Sequence, residues 1–318
     1  MGSGSPRLGY VLVTLGAVLF IVNAGVSRVI LRSGVDPTEL TSLRVTGATV
    51  GLAVIGAVFR PVSLRPPRGR HLLLVVALGL TGVALLQWTY FVAIDRLTVG
   101  MALLLEYTAP ILVALWARFV QKEEVRGRLW FSLGLSIIGL AMIAQVWQGF
   151  TLDPVGVAAG FGAAVAFSAY FLLGEHGVSR QDPLTVILWA FATAAVALNL
   201  VSPVTDLSRE TAASSANLLG ALDAWSAPLW VLLAWVVIPG TLVPFSFELY
   251  ALQHLRATTV TTVAMLEPVG AVVLGWMWFG ESLTAVQSLG GLLVMTGILL
   301  AASSRRAHPA LEPAPAVT

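Results

Sequence analysis

Hydrophobic positions in this chain fall into long blocks separated by short polar segments, and each block has the length of a membrane-spanning helix. At about 1.5 Å of rise per residue, roughly twenty helical residues cross a hydrocarbon core of ~30 Å. The pattern predicts ten spans, at 8–31, 37–59, 71–94, 97–120, 129–148, 154–174, 184–201, 228–252, 255–279 and 285–302. The first block is too long for the apolar core of a cleaved signal peptide, and further blocks of the same character follow it.

The composition agrees with this pattern and argues against several classes of function. Of the 318 residues, 57% are hydrophobic and 11% are charged, which predicts an all-α polytopic membrane protein rather than a soluble domain. The 18 Lys and Arg nearly balance the 16 Asp and Glu, so we expect no nucleic-acid partner. The chain has no Cys, and its four His fall in loops or in the tail. We therefore expect no metal cluster, no cofactor and no enzymatic activity.

Positive charges are distributed unevenly between the two sides of the predicted bundle. With the N-terminus placed in the cytoplasm, thirteen Lys and Arg lie in segments on that side and four lie on the other. Cytoplasmic segments of membrane proteins carry the excess of Lys and Arg. The sequence therefore predicts a multi-pass protein of a bacterial plasma membrane, surrounded by the lipid bilayer, with both termini in the cytoplasm.

The second half of the chain repeats features of the first. A shift of 158 residues aligns Gly82 with Gly240, Leu97 with Leu255, Pro110 with Pro268, Glu123 with Glu281 and Gly139 with Gly297. A shift of 146 aligns Gly16 with Gly162 and Asp36-Pro37 with Asp182-Pro183, and the longer loop from Ser202 to Ala227 accounts for the difference. We interpret this as two repeats of five helices. Because five is odd, the repeats insert with opposite topology, as in many secondary transporters.

This interpretation divides the chain into four regions. Residues 1–7 form a cytoplasmic lead, 8–148 the first repeat, 149–302 the second repeat, and 303–318 a tail. The tail is rich in Pro and Ala, and we expect it to be disordered and cytoplasmic.

The Glu267-Pro268 pair lies near the centre of the ninth predicted span. A carboxyl group at that depth costs at least ~2.5 kcal/mol on insertion scales, so it should face protein or a wet cavity and is a candidate functional group. Pro268 removes one backbone donor and loosens the helix beside it. An interrupted helix that carries an acid suits a transport site. The alternative is a Glu that is buried against an Arg for packing alone.

Glu106 in the fourth span is predicted to lie at a similar depth. Counted from the span ends at 1.5 Å per residue, Glu106 is about 13 Å from one surface and Glu267 about 18 Å from the other. Glu106 aligns with Ala264, one helical turn before Glu267. Two carboxyl groups in one poorly solvated cavity both resist ionisation, because burial and mutual repulsion disfavour the charged form. This is a condition for exchanging protons near neutral pH, and hence for proton-coupled export.

Further polar residues inside the spans are weaker candidates for substrate or proton binding. Glu248 lies nearer the cytoplasmic end of the eighth span and could be a gate or an interfacial acid. Arg44 could hold a substrate carboxylate through two hydrogen bonds or pair with Glu106 or Glu267. The remaining candidates could line a cavity wall or serve packing, and they are Asn23, Gln87, Trp88 and Tyr90.

Proline and glycine mark candidate hinges in the spans. Both residue types weaken the helical hydrogen-bond ladder, so the eighth span is a candidate hinge helix at Pro239, Gly240 and Pro244. Pro110 and Pro268, aligned by the repeat, are the corresponding candidates in the fourth and ninth spans.

Four short motifs carry a resemblance to a known family. They are Leu105 to Pro110 (LEYTAP), Pro244 to Glu248 (PFSFE), Met265 to Pro268 (MLEP) and Phe279 to Glu281 (FGE). On these motifs the chain resembles the EamA family of the drug/metabolite transporter superfamily, and within it the branch of threonine/homoserine exporters. The resemblance implies a ten-helix inverted repeat, alternating access and efflux of small metabolites. Tyr107, inside the first motif, joins the candidate site residues.

The sequence therefore predicts a secondary transporter that exports small polar metabolites such as amino acids, with protons as the coupling ion, and works as a monomer or a homodimer. One alternative is an exporter of drugs or lipophilic cations, in which the acids bind cation and proton competitively. An alternative of another class is a membrane scaffold whose buried acids are structural. A cavity lined by Arg44, Asn23 and Gln87 favours zwitterions, whereas one lined by aromatic residues and acids favours cations.

Overall fold

The computed structural model describes residues 5–97, 99–123, 127–147 and 153–303. Most of the predicted lead and nearly all of the predicted tail lie outside these residues. The first half of the chain contains seven α-helices in the described part, α1 Pro6–Arg32, α2 Pro37–Phe59, α3 Arg70–Ala77, α4 Leu86–Arg96, α5 Val99–Glu106, α6 Ala109–Phe119 and α7 Gly127–Ile143. The second half contains α8 Pro154–Val178, α9 Pro183–Asn199, α10 Arg209–Ala213, α11 Leu229–Val237, α12 Val243–Ala251, α13 Ala257–Ala264, α14 Leu266–Phe279 and α15 Ala285–Ser303.

Long apolar helices dominate the chain, as the hydrophobic pattern predicts. Among the described residues, eight helical stretches are long and apolar enough to cross a membrane, and Gly127–Ile143 and Pro183–Asn199 are shorter apolar helices. Each predicted span overlaps one helix or an interrupted pair of helices, with bounds that differ by up to several residues in the described part of the chain. Two connections between helical segments are π-helical, Leu78–Leu85 between α3 and α4 and Ile238–Leu242 between α11 and α12.

One segment departs from the all-α prediction. The loop expected between Ser202 and Ala227 contains the short helix α10 and a two-stranded antiparallel hairpin, β1 Ser215–Asn217 and β2 Ser226–Pro228. The hairpin residue Ala216 is buried in a hydrophobic cluster with residues of α1 and α11. The indole of Trp278, at the end of α14, donates a hydrogen bond of 2.9 Å to the Leu218 carbonyl. The segment folds because it can bury apolar side chains on the helix ends.

Aspartate followed by proline starts three of the helices, and the reason is local. Proline at the first helical position has no backbone donor to leave unsatisfied, and an aspartate before it can accept from the next free amides. Asp36 accepts from the Thr38 amide at 2.7 Å and Asp153 from the Gly156 amide at 2.8 Å. Asp36 also accepts a hydrogen bond from the Thr38 hydroxyl, which lowers the pKa of Asp36. The bond from the Gly156 amide lowers the pKa of Asp153. Asp182, before α9, instead forms an ion pair with Arg60.

The helix boundaries follow the internal repeat closely. Moving α5, which ends at Glu106, by 158 residues reaches Ala264, where α13 ends. The two π-helical segments also overlap under this shift. Local sequence therefore places equivalent interruptions in both halves of the chain.

Equivalent helices pack on the opposite half of the chain. On α1, Gly9 lies against Leu255, and Gly16 lies against Pro244 and Glu248, so α1 runs antiparallel to α12. On α8, the Tyr170 hydroxyl contacts the Phe245 carbonyl.

Further along α8, Gly174 contacts Leu249 and Leu252, and Glu175 accepts from the Ala257 amide. Later residues of α8 thus contact later residues of α12 and the segment after it, so α8 runs parallel to α12. The equivalent helices α1 and α8 thus run in opposite directions.

Helices α7 and α15 form a closely packed pair at the edge of the bundle. Gly139 and Gly290 face each other, and a Cβ added at either would lie 2.5 Å from the carbonyl oxygen of the other. Small residues allow helix backbones to approach closely in membranes, where lipid removes the hydrophobic drive for association. The outer faces of both helices expose large apolar side chains, among them Phe131 and Leu292, each 65% exposed. These faces suit contact with lipid.

Candidate functional site

The two interrupted helix pairs, α5–α6 and α13–α14, place acidic residues at breaks in the middle of the bundle. Glu106 is the last residue of α5, and Glu267 lies in the first turn of α14. The two pairs pack together, since α13 contacts α6. At a break the backbone leaves helical hydrogen bonding, so polar side chains and unsatisfied amides gather there. The prolines that the sequence marks as hinges, Pro110 and Pro268, are buried next to these breaks.

Glu267 is held from the other half of the chain. The Tyr107 hydroxyl donates a hydrogen bond of 2.9 Å to Oε2 of Glu267. The second oxygen, Oε1, is buried without a hydrogen-bond partner among the described residues. A buried carboxyl oxygen without a partner is costly when the group is charged, and the cost is relieved by a proton or a bound ligand.

Glu248 occupies a second buried position close to Glu267. It is 1% exposed, and within the described chain its Oε2 also has no hydrogen-bond partner. Its side chain faces Gly16 of α1 and interacts electrostatically with Tyr170 and with Glu267. The prediction that Glu248 could be an interfacial acid does not describe its surroundings, because α1 and α8 cover it from two sides.

A network of electrostatic interactions joins the acids and the tyrosines. Glu267 interacts with Glu248, Glu106 and Tyr107. Tyr90 on α4 interacts with Glu106, Glu267 and Arg44. The structure therefore brings together six of the candidates from the sequence, Arg44, Tyr90, Glu106, Tyr107, Glu248 and Glu267. We call these six residues and Tyr170 the acid cluster.

Arg44 enters the acid cluster from α2 without a carboxylate partner. Its Nε donates a hydrogen bond of 3.0 Å to the hydroxyl of Thr241, which in turn donates to the Val236 carbonyl at 2.7 Å. Among the described residues no carboxylate lies within ion-pair distance of the guanidinium. The predicted alternative of an ion pair with Glu106 or Glu267 is therefore absent from this conformation. Thr241 belongs to the π-helical segment, and its hydroxyl bonds the carbonyl five residues earlier in the chain.

Asn23 borders the same region from α1. It is 5% exposed, and its Oδ1 has no hydrogen-bond partner in the described chain. The amide packs directly on Gly240, where any larger residue would overlap it. The predicted hinge residues Pro239 and Gly240 lie within the π-helical segment, and Pro244 follows it in α12. The interruption thus packs Asn23 against Gly240 and bonds Arg44 to the adjacent Thr241.

Two further candidates, Gln87 and Trp88, lie on α4. Trp88 is 57% exposed and lines a mainly apolar groove of about 500 Å³ together with Ser42, Ala84 and Arg96. Gln87 is half-buried and precedes Tyr90 by three residues, on the same side of the helix. The structure does not bring Trp88 into the acid cluster, because the helix turns it away from the side that carries Tyr90.

Sequence reasoning missed two residues of this region, Tyr170 and Thr241. Tyr170 is 1% exposed in the middle of α8, and nothing in its local sequence distinguishes it from the aromatic residues around it. Its contact with Glu248 joins positions far apart in the chain. Thr241 carried a weak signal, since it lies between Gly240 and Pro244 in a segment already suspected of being irregular.

Comparison with known proteins gives the family. The sequence profile described as the EamA-like transporter family matches residues 7–145 and again residues 154–303. The chain belongs to this family. It is therefore a multi-pass membrane transporter, in agreement with its apolar helices.

Individual relatives agree with the assignment to the EamA-like family. The chain is 28% identical over 274 residues to the threonine/homoserine exporter RhtA of Escherichia coli (strain K12), covering 83% of this chain and 79% of that protein. It is 27% identical to an uncharacterized transporter of Archaeoglobus fulgidus over 296 residues, 93% of this chain and 96% of the relative. One solved crystal structure shares the fold with a TM-score of 0.74 at 19% identity, covering 93% of this chain and 97% of that one.

Proposed function

We propose that this EamA-like protein is a proton-coupled exporter of small polar metabolites such as amino acids, working by alternating access. The observation that carries the proposal is the environment of Glu267. Its carboxyl group lies at a helix break inside the bundle, with one oxygen bound to Tyr107 and the other buried without a partner in the described chain. A proton or a substrate donor at that oxygen would relieve the cost of burial.

The acid cluster supports competition between proton and substrate. Glu106, Glu248 and Glu267 interact with one another or with shared tyrosines, and no ion pair between described residues neutralises them. Ionisation of one carboxyl disfavours ionisation of its neighbours. Binding of a positively charged substrate group would therefore favour release of a proton, which is the minimum requirement for exchange.

Arg44 supports a zwitterionic or acidic substrate. An arginine inside a membrane without a carboxylate partner retains the cost of its uncompensated charge. A substrate carboxylate could accept two hydrogen bonds from the guanidinium, while the substrate ammonium faces the acids. The names of the RhtA relatives describe exporters of amino acids with this charge pattern.

An inverted ten-helix repeat is part of the proposal. It is supported by the two matches of the family profile, by the matching interruptions of α5–α6 and α13–α14, and by the opposite directions of α1 and α8. In such repeats the site lies at the repeat interface near the middle of the membrane. We also propose that both termini are cytoplasmic, because the excess of Lys and Arg lies on that side.

The second candidate function is export of lipophilic cations, favoured by the aromatic and acidic lining of the acid cluster. Thermal stability of the purified protein against amino acids and cationic drugs, at pH 6 and pH 8, separates the two. We expect amino acids to raise the unfolding temperature of the wild type in a pH-dependent manner, and Glu267→Gln to abolish that dependence. A response confined to cationic drugs would favour the second function. An unchanged response in Glu267→Gln would favour the scaffold interpretation of this acid.

Transport itself is tested in liposomes that contain the purified protein. Efflux of a labelled amino acid should accelerate when protons are driven in the opposite direction, and Glu267→Gln should remove this acceleration. Efflux that is independent of the proton gradient in the wild type would contradict proton coupling.

A further inference from the structure

Four ion pairs between described residues lie at the ends of the bundle, and each joins the two halves of the chain. The four pairs are Arg28–Glu281, Arg60–Asp182, Arg96–Asp153 and Arg256–Glu123, with N···O distances of 2.5, 3.2, 3.5 and 2.5 Å. In each, one partner comes from the chain before residue 148 and the other from the chain after residue 152. Ion pairs within a helix would not show this arrangement. All four pairs therefore connect the two halves of the chain, which are expected to move relative to each other during transport.

The ion pairs are divided evenly between the ends of the bundle. Gly9 at the start of α1 contacts Leu255, so Arg256 and its partner Glu123 lie at the end where α1 begins, which we call the N-terminal end. Arg60 and Asp182 lie at the same end, because α2 ends there and α8 also ends there.

The other two pairs lie at the far end. Arg28 is near the end of α1, and Glu281 follows α14. Arg96 ends α4 and Asp153 begins α8.

Two of the acids occupy equivalent positions of the internal repeat but close opposite ends. Glu123 and Glu281 are separated by the repeat shift of 158 residues. Each follows an interrupted helix pair, and each reaches across to an arginine of the other half.

The Arg28–Glu281 pair has additional packing. The Arg28 guanidinium also lies over the Phe279 ring, 4.3 Å from its centroid, and the hairpin segment packs beside it through Trp278.

We infer that the pairs Arg256–Glu123 and Arg28–Glu281 are alternating latches, one at each end of the bundle, which control access to the helix-break acids Glu106 and Glu267. The inference rests on the proposed function, because only a protein that alternates its access needs to open each end in turn. Breaking one latch should favour opening at that end alone.

The magnitude expected is modest, which suits a latch that must open in every cycle. Partly exposed ion pairs are weak and screened by salt. Removing one should change the ratio of open to closed forms by about two- to fivefold, converted from about 0.4–1 kcal/mol, the upper part of the usual range for such pairs. A latch much stronger than this would trap the protein in one state.

The absence of cysteine from the sequence provides the test. Ala264 is fully buried at the end of α13, one turn before Glu267, so Ala264→Cys would introduce a single thiol beside the acid cluster. Labelling of this thiol by a membrane-impermeant maleimide is measured in vesicles from each side separately. Glu123→Gln and Glu281→Gln are then added, which are identical changes at equivalent positions.

We expect opposite outcomes from the two changes. Glu281→Gln should raise labelling from the far side by about two- to fivefold, and Glu123→Gln should raise labelling from the N-terminal side by a similar factor. Exchanging the charges, in Arg256→Glu with Glu123→Arg, should return labelling to the wild-type rate. Glu210→Gln, at an exposed acid outside these pairs, serves as the control and should change neither side.

Several results would overturn the inference. Equal increases on both sides would indicate general loosening, and no change on either side would show that the pairs do not control access. The amino-acid efflux assay in the same vesicles separates this inference from the proposed function. Efflux without any sided change in labelling refutes the latches and leaves transport intact. Sided changes without efflux support the latches and refute the proposed substrate.

Discussion

The Tyr107 hydroxyl donates a hydrogen bond of 2.9 Å to Oε2 of Glu267, and this bond links the interrupted helix pair of one half of the chain to that of the other. Tyr107 lies one residue after Glu106, and Glu267 lies one residue before Pro268. A rearrangement of the halves would therefore change the environment of both acids together.

Tyr107→Phe should slow proton-coupled efflux about tenfold or more, because a hydrogen bond to a carboxyl that ionises during the cycle contributes ~1.5–3 kcal/mol. The aromatic ring and its packing on Phe167 are kept, so the fold should be retained. Efflux in liposomes is the measurement. Tyr250→Phe, near the end of α12 and half-buried, is the matched control and should transport at the wild-type rate. Equal effects of the two changes would contradict a specific role for Tyr107.

Arg44→Gln should weaken substrate binding at least tenfold, since loss of a charged partner from a buried pair costs ~2–5 kcal/mol. Arg44→Lys should not restore binding, because an ammonium group cannot reproduce two parallel hydrogen bonds. Binding is measured by isothermal titration in detergent with the amino acid that gives the largest thermal shift. Arg32→Gln, an exposed arginine of α1, is the control. Wild-type affinity in Arg44→Gln would remove Arg44 from the substrate site.

Gly240→Ala should destabilise the protein by about 1–3 kcal/mol, because the added carbon would overlap the Asn23 amide within the π-helical segment. Adding Asn23→Ala should recover much of the loss by removing the overlapping atoms. Thermal unfolding in detergent is the measurement. Gly134→Ala is the matched control, since a carbon at that position of α7 meets no atom within 4 Å. We expect the control to be neutral or stabilising by up to ~1 kcal/mol from helix propensity.

Asp153→Asn should lower the unfolding temperature near pH 7, and the difference should shrink as the pH falls towards 3. The Gly156 amide and then Arg96 hold the pKa of Asp153 below its usual range. A carboxyl whose pKa is lowered by folding adds stability above its unfolded pKa, and that contribution is lost as the pH falls through its folded pKa. Unfolding temperatures of both proteins across this range provide the test. Asp223→Asn, an exposed aspartate outside such contacts, should match the wild type throughout.

The spacing of apolar residues was sufficient to predict most helices, because an α-helix in lipid satisfies its own backbone and needs only length and hydrophobicity. The second predicted span, 37–59, has the bounds of α2. Interruptions were also predictable in part, since Pro110 and Pro268 mark the breaks. The hairpin between Ser215 and Pro228 was missed, because its strands are three residues long and are stabilised by contacts with distant helix ends.

By itself, the sequence determined the membrane class, the family resemblance and the internal repeat, and it singled out Glu106, Arg44 and Glu267 as candidate site residues. The three residues stand out because placing a charged side chain inside an apolar span costs free energy, so such residues are rare unless they have a function. Only the tertiary structure decided the partners. Arg44 contacts Thr241 rather than an acid, Glu248 is covered by α1 and α8, and Tyr107 bonds Glu267. These contacts join residues roughly 80 to 240 positions apart, and hydrophobic periodicity carries no information about which helices become neighbours.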